Sequence, residues 1–183
     1  MIEEKMINSE DIDYMALSNP DDRFFKVFKC ENTPEFYYKI NKFKKFLMEK
    51  YLYTSDEHRS QEMVERGIAN MLMGSNMCFL YEIGDFQGLI IFANIIPNHK
   101  ADVIFKIWDK KMFSKDFVRA CNKLANLVMD NLQLKRLTSH SADPKMTRFA
   151  TMAGFKEEGK SPCSMKWDGK LYDNYTLGLV REV

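Results

Sequence analysis

The sequence predicts an α+β fold, a mixed and mostly antiparallel sheet flanked by helices. Three observations predict it: two stretches of helical period occupy most of the first half, short runs of strand formers divided by tight turns follow from Asn76, and helix and strand patterns then alternate to the end. The expected order is helix, helix, three antiparallel strands, helix, strand, helix and two strands. Gly (8) and Pro (5) are scarce and no repeat appears, so there is no flexible linker. Residues 1–183 are therefore expected to form one domain, with a helical part over 1–74 and a sheet core over 75–183.

The first helix is expected from Pro34 to about Tyr51. Thr33 supplies the N-cap, Pro34 takes the first helical position and Glu35 sits in the first turn. Phe36, Ile40, Phe43 and Leu47 fall on one buried stripe, and Lys39, Lys42, Lys45 and Lys50 on the other side. Thr54-Ser55-Asp56-Glu57 has the pattern of a capping box, in which a hydroxyl and a Glu satisfy orphan backbone donors reciprocally. The second helix it opens buries Val64, Ile68, Met71 and Leu72 and stops at Gly74.

Strands are expected over 77–83 and 86–96, joined at Gly84-Asp85, and over 101–108 after the turn Pro97-Asn98-His99-Lys100. The unbroken apolarity of LIIFANII suits a strand covered on both faces. A helix over 115–132 follows, capped by Ser114 and buried along Phe117, Cys121, Leu124 and Val128. Then come a strand over 135–142, a helix over 144–153 stopped at Gly154, a strand over 155–163, a turn at Asp168-Gly169 and a last strand over 171–180.

Composition excludes several functions. With 27 Lys+Arg against 26 Asp+Glu the net charge is +1, too balanced for a protein that coats nucleic acid or an anionic membrane. The helix KINKFKKFLMEK mixes Lys with aromatics, but the aromatics lie on the core stripe, so nucleic acid is not expected as a partner. The longest apolar stretch, 89–96, is eight residues, far short of the roughly 20 that cross a bilayer. The first residues, MIEEKMINSEDIDYM, are acidic and lack an apolar core, so no secretory leader and a cytoplasmic location are expected. Cys30, Cys78, Cys121 and Cys163 are widely spaced, as are His58, His99 and His140. No disulfide framework or metal site is expected, and the cysteines read as buried reduced thiols. The 13 Met residues read as core packing.

The C-terminal third carries a resemblance. Over 147–182 a helix ends in Gly154-Phe155, then come Glu158-Gly159, the turn Asp168-Gly169-Lys170, Asp173, and Gly178-Leu179 in the last strand. This order resembles the GNAT superfamily of acyl-CoA N-acyltransferases, in particular the branch that acetylates ribosomal-protein N-termini. The resemblance implies a GNAT-like sheet with a splayed parallel pair, strands 101–108 and 135–142, between which acetyl-CoA wedges while an amine attacks its thioester. Each matching residue also has a structural job as helix stop, turn or strand packing.

The family motif that cradles the cofactor pyrophosphate, of Arg/Gln-x-x-Gly-x-Gly/Ala type, belongs where the third strand enters the long helix. This chain reads Ile107-Trp108-Asp109-Lys110-Lys111-Met112-Phe113-Ser114-Lys115 there, with neither glycine. Losing two charge-assisted hydrogen bonds, at roughly 1.5 to 3 kcal/mol each, lowers affinity at least about a hundredfold. Trp108, Lys110, Lys111, Met112, Phe113, Ser114 and Lys115 are the residues the resemblance assigns to the cofactor, with the lysines as point charges. Asp143-Pro144-Lys145 replaces the usual Asn at the next helix, and Ala150 stands where many members have a Tyr acid. Asp109 and His140 are the candidate bases for the amine; Ser139 and Ser141 lack the GxSxG elbow of a nucleophile.

Two readings result. The first is an acyl-CoA-dependent N-acetyltransferase with an amine substrate. The second is a binding or structural protein with a decayed cofactor site and a protein partner, as in GNAT-like phage virion and head-associated proteins, with the virion as its location.

Overall fold

The computed structural model describes residues 23–29, 33–49, 62, 66, 79–85, 87–167 and 169–181. Among the described residues seven strands form one sheet: β1 (Phe25–Lys29), β2 (Phe79–Ile83), β3 (Gly88–Ile96), β4 (Lys100–Ile107), β5 (Arg136–Ser141), β6 (Lys156–Trp167) and β7 (Lys170–Val180). Their order across the sheet is β1-β2-β3-β4-β5-β7-β6. Every neighbouring pair is antiparallel except β4 and β5. Among the described residues the continuous α-helices are α1 (Pro34–Glu49), α2 (Lys115–Asn131) and α3 (Pro144–Met152).

β1 corrects the expectation that 1–74 is wholly helical. Its sequence FKVFK alternates too briefly to stand out, and it owes its existence to β2, against which Phe25 pairs with Ile83. The expected second helix lies outside the described residues except at Glu62 and Arg66, which are helical and joined side chain to side chain at 2.9 Å. α1 begins as expected, with Thr33 Oγ1 accepting from Phe36 N at 3.2 Å.

Alternation along the strands gives the sheet two faces. Tyr81, Ile83, Ile90, Phe92, Ala101, Val103, Leu137 and Leu177 share a core with Phe117, Cys121, Leu124 and Val128 of α2 and Phe149 of α3. The opposite face carries Glu82 and Leu89, buried, and receives α1. Lys39 corrects a second expectation. It turns toward the sheet and pairs with the buried Glu82 at 3.8 Å, because a buried carboxylate needs a charged partner. The side chains of Phe43, Leu47 and Lys45 lie outside the described ones.

β6 runs to Trp167, four residues beyond its expected end, past Pro162 and a register shift between Ser161 and Met165. Proline and a bulge are tolerated there because β6 is an edge strand. Cys163 takes a left-handed φ of 50° in that bulge and is exposed, which corrects its reading as a buried thiol. Cys121 is buried as expected, and burial pushes its thiol pKa well above the ordinary value. Cys30 and Cys78 lie outside the described residues. Among the described residues no helix is long and apolar enough to cross a membrane.

Candidate functional site

β4 and β5 are parallel but pair over only three residues, from Lys100↔Arg136 to Asp102↔Thr138. Beyond that point β4 stays with β3 as far as Gly88↔Ile107, and β5 stays with β7 as far as Ser141↔Tyr175. The split thus lies between two intact ladders, and it begins where β3 bulges. Residues Ala93 and Ile96 are out of step across from Asp102 and Lys100, Asn94 has a φ of 51°, and its Nδ2 donates to Asp102 Oδ2 at 2.7 Å. A bulge bends a strand and increases its twist, which carries β4 away from β5. Past the split both strands turn unpaired backbone groups toward one another, a place for a ligand with amides of its own.

The turn from β4 into α2 is built without glycine. No residue from Ile107 to Phe117 has a positive φ; Lys110–Met112 form a 3-10 turn instead. Gln87, in the β2–β3 turn, holds it from outside. Its carbonyl accepts from Trp108 N at 3.2 Å and Asp109 N at 3.3 Å, and its Nε2 donates to Asp109 Oδ2 at 3.1 Å. Asp109 holds it from within, since Oδ1 accepts from Lys111 N at 2.8 Å and its carbonyl from Met112 N at 3.1 Å. Ser114 N donates to Met112 O at 2.7 Å, and Ser114 Oγ caps α2 by accepting from Phe117 N at 3.1 Å. Among the described residues the amides of Phe113, Lys115 and Asp116 donate no hydrogen bond, leaving three N–H groups at the start of α2.

The side chains assigned to the cofactor divide by exposure. Lys111, Phe113, Ser114 and Lys115 are exposed, whereas Trp108 and Met112 are half-buried; the side chain of Lys110 lies outside the described ones. Phe113 meets Phe149 of α3 edge-on at 5.4 Å, and Phe149 also meets Phe105 of β4 at 5.5 Å and Phe117 of α2 at 5.8 Å. One buried ring therefore braces β4, the turn and both helices.

Asp109 and His140 are not brought together. Measured from the last pair, Asp102↔Thr138, they stand about five strand residues apart in height, about 16 Å at the usual rise. Asp109 has both carboxylate oxygens engaged, as above. His140 is exposed on the face opposite α2, because Leu137 and Ser139 are buried on the near face. Its Nδ1 lies 3.3 Å from Thr176 Oγ1. Lys106 was not foreseen as part of the site. It lies two residues before Trp108 on the α1 face, half-buried, and burial pushes its pKa down to about 8. Gln87 and Thr176 were likewise missed, since neither is near its partner in sequence.

The remaining family positions are structural here. Asp143 caps α3, accepting from Lys145 N at 2.8 Å, and Ala150 is buried in the core. Glu158 pairs with Arg136, and a Cβ on Gly178 would collide with that Glu158 carboxylate. Asp173 bonds Lys160 at 2.6 Å and accepts from Cys163 N at 3.0 Å.

No protein-family model matches the chain, and no curated protein sequence does. Solved structures match in shape. A chimera of the Vibrio cholerae spermidine N-acetyltransferase SpeG and hSSAT superposes with a TM-score of 0.63 at 18% identity, covering 85% of this chain and 93% of that one. The Vibrio cholerae spermidine N-acetyltransferase in complex with CoA and spermine gives 0.59 at 18% identity, over 85% of this chain and 95% of that one. The microcin C7 self-immunity acetyltransferase MccE, in complex with acetyl-CoA and AMP, gives 0.57 at 18% identity, over 88% and 94%. With its seven-stranded mixed sheet and its parallel pair that parts after Thr138, the chain has the fold of the GNAT acetyltransferases.

Proposed function

We propose that the chain is an acyl-CoA-dependent N-acetyltransferase acting on an amine. The observation that carries this reading is the parallel pair β4–β5, which parts after Asp102↔Thr138 while each strand keeps its other ladder. The fit of the phosphate end is partial. The free amides of Phe113, Lys115 and Asp116, with the ammonium groups of Lys111 and Lys115, would hold the phosphates. The edges of β4 beyond Asp102 and of β5 beyond Thr138 would hold the pantetheine amides. When bound, acetyl-CoA supplies an activated acyl carbonyl.

His140 is the base in this reading, and Asp109 is not. With Nδ1–H donated to Thr176 Oγ1, His140 Nε2 carries the lone pair that takes the amine proton. It stands on the face away from α2, so the amine and the phosphate end lie on opposite sides of the sheet. The structural neighbours support an amine as acceptor, since the Vibrio cholerae enzyme is a spermidine N-acetyltransferase solved with CoA and spermine. Residues 1–183 act as one domain, in the cytoplasm.

A second reading keeps the fold with a lapsed cofactor site, and one observation favours it. Lys111 N, Met112 N and Ser114 N, in the segment that should cradle a diphosphate, are all used within the chain. The partner is then a protein, as in a virion component. Calorimetric titration with acetyl-CoA separates the two: a Kd below about 100 μM, roughly 5.5 kcal/mol, supports the enzyme, and no heat at millimolar ligand refutes it.

A further inference from the structure

On the acyl-CoA reading above, we infer that Asp109 is a built-in competitor for the phosphate end of the cofactor, an autoinhibitory carboxylate lodged in the turn between β4 and α2. Both its oxygens are held by uncharged donors, Oδ1 by Lys111 N at 2.8 Å and Oδ2 by Gln87 Nε2 at 3.1 Å. Among the described side chains no cation pairs with it. A diphosphate taking the amide of Lys111 must first displace that carboxylate. One taking the neighbouring amides of Phe113, Lys115 and Asp116 sits a few residues away from it and meets like-charge repulsion.

The arrangement explains how the turn dispenses with glycine. Where the family loop leaves amides bare for a phosphate, this one satisfies those of Lys111, Met112 and Ser114 itself, and an acid at position 109 lets it close without left-handed backbone angles. The same bonds that stabilise the turn oppose the ligand. The exposed lysines at 111 and 115 then serve to overcome this opposition.

The test is calorimetric titration of the wild type, Asp109→Asn and Asp109→Ser with CoA and, separately, with pantetheine, which has no phosphates. Thermal melts check that each variant folds. Asn keeps an acceptor for Lys111 N and can exchange roles with the Gln87 amide, while Ser offers a smaller neutral cap should Asn disturb the turn. Both variants are expected to bind CoA at least tenfold more tightly than the wild type, with no equal gain for pantetheine; CoA binding by the variants but not by the wild type overturns the acyl-CoA reading and the inference with it. Equal or weaker CoA binding by the variants, with the wild type binding, overturns the inference and leaves the acyl-CoA reading standing. So does an equal gain for pantetheine, which would place the effect away from the phosphates. If none of the three proteins binds CoA at millimolar concentration, both fall.

Discussion

His140 shows how one residue type changes meaning with its surroundings. Between Ser139 and Ser141 its sequence context fits a surface or a core histidine equally, and a catalytic one less well. In the fold, pairing of β5 with β7 sets it opposite Thr176, whose hydroxyl lies 3.3 Å from Nδ1 and leaves Nε2 for other partners. If it is the base, His140→Ala lowers kcat for acetyl transfer to an amine by about 10²- to 10⁴-fold with little change in acetyl-CoA affinity by calorimetry. A kcat within threefold of wild type would remove it from the mechanism. Asp109 moves the other way. The sequence offered it as a base at a strand end, and its bonds to Lys111 N and Gln87 Nε2 make it part of the turn. Gln87 was illegible because its partner is 22 residues away across a hairpin, a contact that no local pattern encodes.

At the scale of elements, the helices after residue 110 were the most legible part. Ser114 caps α2 as expected, and α3 starts at Pro144 as expected, with Asp143 before it as the cap. β1 and the far end of β6 were not legible, since a five-residue edge strand and a strand passing through Pro162 exist only because a neighbouring strand pairs with them. The split between β4 and β5 is also relational. It needs the bulge at Asn94, the ladder to β3 and the ladder to β7 acting together. Phe149 ties these parts, touching Phe105, Phe113 and Phe117 while itself fully buried. Phe149→Ala is expected to destabilise by about 3 to 5 kcal/mol in urea melts, and Phe149→Leu by clearly less. Equal effects of the two would mean that packing of this ring is not what braces the turn.

For the whole molecule, Lys106 gives the stability a pH dependence with a definite sign. Its pKa in the fold is about 8, below its ordinary 10.5, because burial disfavours the charged form. Between those values the unfolded chain holds the extra proton, so the Lys106 contribution to stability rises with pH across that window and its burial is most costly below it. Cys121 and Tyr81 act oppositely, since burial raises both and the unfolded chain ionises them first as pH climbs past 9 to 10. Comparing Lys106→Met with wild type isolates the lysine. The variant should be more stable by about 1 kcal/mol at pH 7, a rise of 2 to 4 °C in Tm, and the gap should narrow toward pH 10. A gap that does not change with pH would show that burial of the charge is not its cause.

The sequence by itself determined the fold class, most element positions and the resemblance of the C-terminal third, because caps, turns and hydrophobic period are written in neighbouring residues. It also determined that the turn between β4 and α2 lacks glycine. What that absence means was decided only in three dimensions. How the Asp109 carboxylate that satisfies Lys111 N is held depends on Gln87 meeting it across a hairpin, and whether two strands part depends on which ladders each one keeps. Contacts between distant segments follow from the packing of the whole sheet, and no local stretch of the chain contains them.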